Sequence, residues 1–233
     1  AVNDGVARSV AELVNAAEDD DAWAQRIRVV PNGIDTAVFD AHGPSASEQA
    51  RAEIGLSGPY FVYAGTASEW QGADVFVHAV IMHPAVPAAE AAVWQRGAVA
   101  ALVSIKPGQG YDFAYPTKVL SALGCGTPVL FAGNGPVASD VRDFDLGWAA
   151  EHDAAAVAEA MRAALDVYEA ETASGARAAT AQRFHDWVED HRSLRATGES
   201  AASIVQEVVA EGGEHNEVDE VDDVRRVSEE QRW

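Results

Sequence analysis

The chain has 233 residues, 48% of them hydrophobic, enough to bury a sizeable core as one large domain or two small ones. Its 37 acidic residues against 16 basic ones give a net charge of -21, which leaves no cationic surface for phosphate-backbone contacts and argues against nucleic acid as a partner. No apolar run approaches the roughly 18 residues that would span a bilayer, and no signal peptide precedes residue 20, so the sequence reads as soluble and cytoplasmic, with no transmembrane segment.

The opening AVNDGVARSVAELV predicts a helix with Val6, Val10, Leu13 and Val14 on one face. A chain that begins in mid-element implies sequence lost upstream. Acidic residues Glu18 to Asp21 break the pattern, and Arg26 to Val30 read as a short strand ending at Pro31, which cannot donate to a ladder. In the turn PNGID, Asn32 and Gly33 are expected to supply positive φ, and residues 40 to 58 form a linker with a helical middle.

From Tyr60 the pattern is α/β. YFVYA is a continuous apolar strand, and the loop GTASEWQGAD leads into a helix DVFVHAVIM. A second unit runs from the strand AVAALVSI (98 to 105) through KPGQGYDFAYP into a helix at 116 to 124, with Pro116 in its first position, and closes on the strand PVLFA (128 to 132). The loop GNGP precedes a short segment LGWAA, after which 154 to 170 and 176 to 209 are helical. Near 84–90 one helix ends by His83 and Pro84 and another begins by Pro87 with no strand between, so a strand-bearing stretch is expected to be missing from an alternating sheet. Residues 211–233 hold nine acidic residues and three arginines and read as a disordered tail.

Two loops, Gly65 to Gly72 and Lys106 to Pro116, fall at the carboxyl ends of predicted parallel strands and feed helix amino termini, where open α/β sheets bind ligands and where unpaired N–H groups favour phosphate. Either loop taken alone reads equally well as a simple turn. Neither is a Walker A sequence or a GxGxxG fingerprint, which argues against nucleotide hydrolysis and hydride transfer. Histidines show no metal-ligand spacing, so no metal and no cofactor are expected. The lone cysteine, Cys125, lies among small residues with no histidine within ten positions and reads as a packing thiol. Trp94 and Trp148 read as core, whereas Trp70 lies in the glycine loop and is a candidate to line a ligand site.

Three blocks in order, VVPNGIDTAVF (29 to 39), FVYAGTASEWQGADVFVHA (61 to 79) and YPTKVLSALGCGTPVLFAGNGP (115 to 136), resemble landmarks of GT-B glycosyltransferases of the GT4 type. The resemblance implies a Rossmann-like parallel sheet with helices on both faces, the C-terminal domain of a GT-B fold, and a helical C-terminal tail. On it, 1–39 are the end of an acceptor domain and the interdomain linker. Residues 40–150 are then the nucleotide-sugar-binding domain, shortened near 84–90, and 151–210 the C-terminal helices. The implied reaction moves a sugar from a UDP- or GDP-sugar to an acceptor hydroxyl, on a glycan or lipid left open, with retention and with the catalytic residues unassigned. A chain carrying mainly the donor half is expected to be inactive alone.

The donor-binding residues carried over by resemblance are Gly65, Thr66, Trp70, Gln71, Gly72, Asp112, Pro116, Thr117, Lys118 and Ser121. Thr66 and Gln71 stand where the family has an arginine and a lysine on the diphosphate, and Phe113 and Ser121 where it has paired glutamates. Lys118 matches the lysine of a PxK variant and reads as the only cation left near the site. Asp112 is either a contact to sugar hydroxyls or a turn residue bonded to its own backbone. Two other readings remain: a UDP-sugar epimerase, whose histidine and carboxylate set is not evident, and a degenerate, non-catalytic remnant or regulatory module.

Overall fold

The computed structural model describes residues 4–18, 27–76 and 81–210. Helix α1 (Asp4–Glu18) opens the chain. A short α2 (Glu48–Glu53) follows the linker, its first turn capped by Ser47 Oγ, which accepts the Ala50 N–H at 3.1 Å. Two 3₁₀ turns (Glu69–Gln71 and Ala73–Phe76) precede α3 (Ala88–Arg96). Then come β1 (Ala101–Ser104), α4 (Thr117–Gly124), β2 (Val129–Ala132), α5 (Pro136–Asp143) and β3 (Gly147–Ala150). The long helices α6 (Ala154–Ser174) and α7 (Arg177–Arg192) and a final α8 (194–210) complete it.

The three strands are parallel in the order β1-β2-β3, with Ala101 opposite Val129 and Val129 opposite Gly147. The strand expected at YFVYA is reduced to an isolated bridge, and Tyr60 to Tyr63 lie along the free edge of β1. Val62 forms a parallel bridge to Ala101, and the Leu102 N–H reaches the Val62 carbonyl at 2.7 Å. Every residue of β1 and β2 is buried, as parallel strands covered on both faces require. Alternation splits them: Ala101, Val103, Val129 and Phe131 face α4, α5 and α7, while Leu102, Leu130 and Ala132 face α6 through Val157 and Ala164. The fold is therefore α/β with helices on both faces of a parallel sheet and a helical C-terminal region, as the sequence predicts.

Several local expectations change. Of the expected strand 26–30, Arg26 lies outside the described residues and 27–30 form no strand; among the described residues the nearest backbone bridge falls later, at Ile34. The Ile34 N–H donates to the Arg192 carbonyl and the Leu194 N–H to the Ile34 carbonyl, both at 2.9 Å. Ser193, which bonds in this bridge with an extended ψ of 158°, breaks the single helix expected over 176–209 into α7 and α8. Within the expected helix 74–82, residues 74–76 belong to a 3₁₀ turn, 81 and 82 are not helical, and 77–80 lie outside the described residues. Pro116 caps α4 rather than beginning it, and α5, which the loop reading of GNGP left out, starts at Pro136. Val10 on α1 is 40% exposed rather than covered. No strand occurs among described residues 81–97, and the expected tail 211–233 lies outside the described residues.

Gly33 is not left-handed, and Asp145 is the only non-glycine with positive φ among the described residues, so neither Gly33 nor Asn32 turns the chain as expected. Gly33 is required for space: a Cβ there would lie 2.5 Å from Thr197 Oγ1 and 2.6 Å from the Ser193 carbonyl oxygen. We expect Gly33→Ala to push the backbone at 33–34 off α8 and cost about 1–3 kcal/mol, a fall of several degrees in Tm. Thermal denaturation followed by circular dichroism reads this directly, and an unchanged Tm would refute the packing role.

Candidate functional site

The carboxyl ends of the parallel segments bring four loops to one edge: 64–72 after Tyr63, 105–116 after β1, 133–135 after β2, and 151–153 after β3. In open α/β sheets this edge is where ligands bind, because helix amino termini and loop N–H groups converge there.

Loop 64–72 is folded around its own polar atoms. Gln71 is 5% exposed, and its Oε1 accepts the Ser68 N–H at 3.0 Å. The Tyr63 hydroxyl donates to the Thr66 carbonyl at 2.9 Å. Lys118, from the first turn of α4, closes the loop: its Nζ donates to Tyr63 Oη at 2.8 Å and to the Thr66 carbonyl at 3.0 Å, and lies 4.1 Å from the Tyr63 ring centroid. Burial pushes the Lys118 ammonium down from 10.5 to about 8. Gly72 is left-handed, at φ 60°, and a Cβ on it would strike His152 Nε2 at 2.5 Å and crowd Lys106 Cβ at 3.1 Å. Since a carbonyl only accepts, His152 Nε2 carries the proton in its 3.0 Å bond to Gly72.

Loop 105–116 is tied to the first at two points. The Lys106 N–H donates to the Trp70 carbonyl at 2.9 Å, and the Trp70 and Tyr111 rings stack with centroids 4.7 Å apart and planes 26° from parallel. The Asp112 carboxylate accepts the Gly108 N–H at 3.2 and 3.3 Å, which is the turn-residue geometry. Tyr115 is buried and its hydroxyl donates to Asp140 Oδ2 at 2.9 Å. The same oxygen takes Arg192 Nη2 at 3.2 Å, and this charge-assisted pair stands at the junction of α5 and α7. Gly135, at φ 94°, admits the Asp112 carbonyl where any side chain would overlap it.

The ten residues singled out by sequence thus sit on two loops and the start of α4, joined through Lys118 and Trp70. Gly65, Thr66 and Thr117 are exposed; Trp70, Asp112, Pro116 and Lys118 are partly buried; Gln71, Gly72 and Ser121 are buried. Ser121 Oγ donates to the Lys118 carbonyl at 3.1 Å, so its hydroxyl, like the Gln71 amide oxygen, is spent on neighbouring backbone. Two clefts border them. The larger, about 750 Å³, lies between Arg8 and Glu12 of α1 and the residues Asp112, Tyr115, Pro136 and Arg192. A smaller recess, about 440 Å³, is walled by Ser68, Glu69, Gly72, Asp74 and Lys106.

Lys118 is accordingly not the only cation at the site, since Lys106 lines the recess beside the glycine loop. Lys106 and His152 escaped the sequence reading. The available signal was positional: each lies within two residues of the carboxyl end of an apolar segment, 98–105 and LGWAA. Cys125 is 2% exposed and burial pushes its thiol up to about 12, so it carries no thiolate near neutrality. Trp148 packs against the core facing α6, and Trp94 meets the Tyr60 ring edge-on at 6.3 Å. Among the described residues no three metal-ligating side chains gather, and no helix is long and apolar enough to cross a membrane.

A D-inositol 3-phosphate glycosyltransferase from Acidothermus cellulolyticus is 29% identical over 229 residues, covering 77% of this chain and 48% of that protein. Among solved structures, sucrose-phosphate synthase from Thermosynechococcus elongatus shares the fold with a TM-score of 0.57 at 16% identity, over 78% of this chain and 53% of that one. No family model matches the chain. The chain spans about half the length of these two proteins. The resemblance to GT-B glycosyltransferases is therefore met twice, once in sequence and once in fold.

Two outcomes follow from the loop geometry. Gln71→Lys, which introduces the charge that the glycosyltransferase resemblance implies for this position, removes the acceptor of the Ser68 N–H and buries a cation; we expect a loss of about 1–3 kcal/mol, seen as a lower denaturation midpoint, whereas exposed Thr66→Arg stays within about 0.5 kcal/mol. Equal midpoints for wild type and Gln71→Lys would overturn this.

For Lys118, the unfolded chain still holds the proton between about pH 8 and 10.5 while the folded chain has released it. Stability relative to Lys118→Met therefore rises across that window and is flat below it. Paired urea titrations at pH 7, 9 and 10 check this, and a difference that falls with pH would contradict it.

Proposed function

We propose that this chain carries the donor-binding half of a glycosyltransferase that moves a sugar from a nucleoside diphosphate sugar, UDP- or GDP-linked, to an acceptor hydroxyl with retention. The observation that carries the reading is the closure of the glycine loop onto the first turn of α4 by Lys118, at the carboxyl edge of a parallel sheet. Its support outside the geometry is the likeness to two proteins whose names describe sugar transfer and synthesis. In this reading the donor meets Gly65, Thr66, Trp70, Gln71 and Gly72 on one side and Asp112, Pro116, Thr117, Lys118 and Ser121 on the other. Charge developing on the departing diphosphate is met by loop N–H groups, the Thr66 hydroxyl and the amino end of α4, which are fixed before the reaction and need no reorganisation during it.

The same proposal divides the chain into an acceptor-side end and linker at 1–39, the donor domain at 40–150, C-terminal helices at 151–210 and a tail at 211–233, in a cytoplasmic protein. The acceptor glycan or lipid then binds mainly to a partner domain, and the chain alone transfers no sugar. A second reading, a non-catalytic nucleotide-binding remnant, is favoured by one observation: the Gln71 amide oxygen, the Ser121 hydroxyl and the Lys118 ammonium already have partners within the protein.

A thermal-shift titration with UDP, GDP, ADP and their common sugar conjugates tests both, because a ligand that binds only the folded form raises Tm. A rise selective for one base, with no sugar released or transferred by the chain alone, is the expected result. No shift with any nucleotide would sink the donor-half reading in favour of the remnant, and measurable turnover would overturn the claim that this half is inactive.

A further inference from the structure

We infer that Lys106, and not Lys118, is the side chain whose charge meets the diphosphate, so that the cation missing from position 71 is supplied from the end of β1. This rests on the donor-half reading above and deepens it. Three observations lead here. First, the Lys118 ammonium is engaged, with two acceptors at 2.8 and 3.0 Å and the Tyr63 face beneath it, so its charge holds the loop closed. Second, the root of Lys106 is fixed: its N–H is bonded to the Trp70 carbonyl, and its Cβ lies 3.1 Å from where a Gly72 Cβ would stand. Third, the Lys106 side chain has no hydrogen bond or ion pair among the described residues, and it lines the 440 Å³ recess with Ser68 and Gly72. An anchored stem with an unengaged ammonium is what a point-charge phosphate ligand needs.

Position 71 itself is closed to this role, since a buried side chain there completes the loop by accepting the Ser68 N–H. Lys106 reaches the other side of the same loop from a different strand. Glu69 and Asp74 stand on the wall of the recess and oppose an anion. They make the site weaker than one lined by cations alone, and removing their charge strengthens it.

Isothermal titration of the full chain with UDP, GDP and inorganic pyrophosphate, and with uridine and guanosine as phosphate-free controls, tests the assignment. Lys106→Gln is expected to weaken diphosphate binding roughly 10- to 100-fold. It should also flatten the salt dependence and leave both the nucleoside controls and the Tm of the free protein unchanged. Lys106→Arg retains most of the binding, and Glu69→Gln tightens it.

Binding by Lys106→Gln within twofold of wild type overturns the assignment while leaving the donor-half reading standing. Equal losses for nucleosides and diphosphates also overturn it, because they would show a structural role. If the wild-type chain binds neither nucleotide nor pyrophosphate, both the assignment and the reading beneath it fail.

Discussion

Strands β1 and β2 have no face toward water, and the placement of every other element answers to that constraint. Apolar side chains alternate to both sides, so helices must cover both: α4, α5 and α7 on the face with Val103 and Phe131, and α6 on the face with Leu130. Burial of this kind is the dominant favourable term in folding, and it leaves the ends of the strands as the place where polar groups can gather without loss. Four loops meet at the carboxyl ends, which is why residues as far apart in sequence as Gly72 and His152 are in contact.

Within those loops the polar groups are largely satisfied by one another. The Gln71 amide, the Tyr63 hydroxyl and the Lys118 ammonium together hold loop 64–72 in shape, and the Trp70–Tyr111 stack joins it to the next loop. A buried amide or ammonium without partners would cost several kcal/mol, so a loop that lacks strong external anchors must be internally bonded to persist. The consequence for function is a division of labour between two lysines at one edge, one bonded into the scaffold and one left available.

Residues 31–34 are fixed by a different device. Ile34 inserts its N–H and carbonyl between the end of α7 and the start of α8, and Gly33 lets the backbone come close enough for both bonds to form. Arg192, whose carbonyl takes the Ile34 N–H, also pairs through its guanidinium with Asp140, which holds Tyr115. One residue therefore touches Ile34 by its main chain and, by its guanidinium, both Asp140 and the Tyr115 ring at 4.6 Å.

The sequence by itself determined the parts of this protein that rest on local pattern. The apolar runs 98–105 and 128–132 contain β1 and β2, the alanine-rich stretch from 154 is a helix, and the glycine-bounded loop with the TK start of α4 marks the carboxyl edge. Each follows from side-chain periodicity or turn chemistry within about ten residues. Tertiary structure decided whatever depended on a partner far along the chain. Residues 27–30 have the composition of a strand but find no ladder among the described residues, and the helix expected over 176–209 divides at Ser193, where Ile34 bonds across more than 150 residues. Gln71 departs from the resembled motif and Lys118 matches it, and neither fact foretold that Gln71 accepts the Ser68 N–H or that Lys118 bonds Tyr63 and the Thr66 carbonyl. Lys106 looked like a loop boundary, and only the approach of Gly72 placed it beside the recess. The physical reason is the same in each case: hydrogen bonds and close approaches are made in three dimensions, and a residue's type fixes what it can bond to without fixing what is brought within reach.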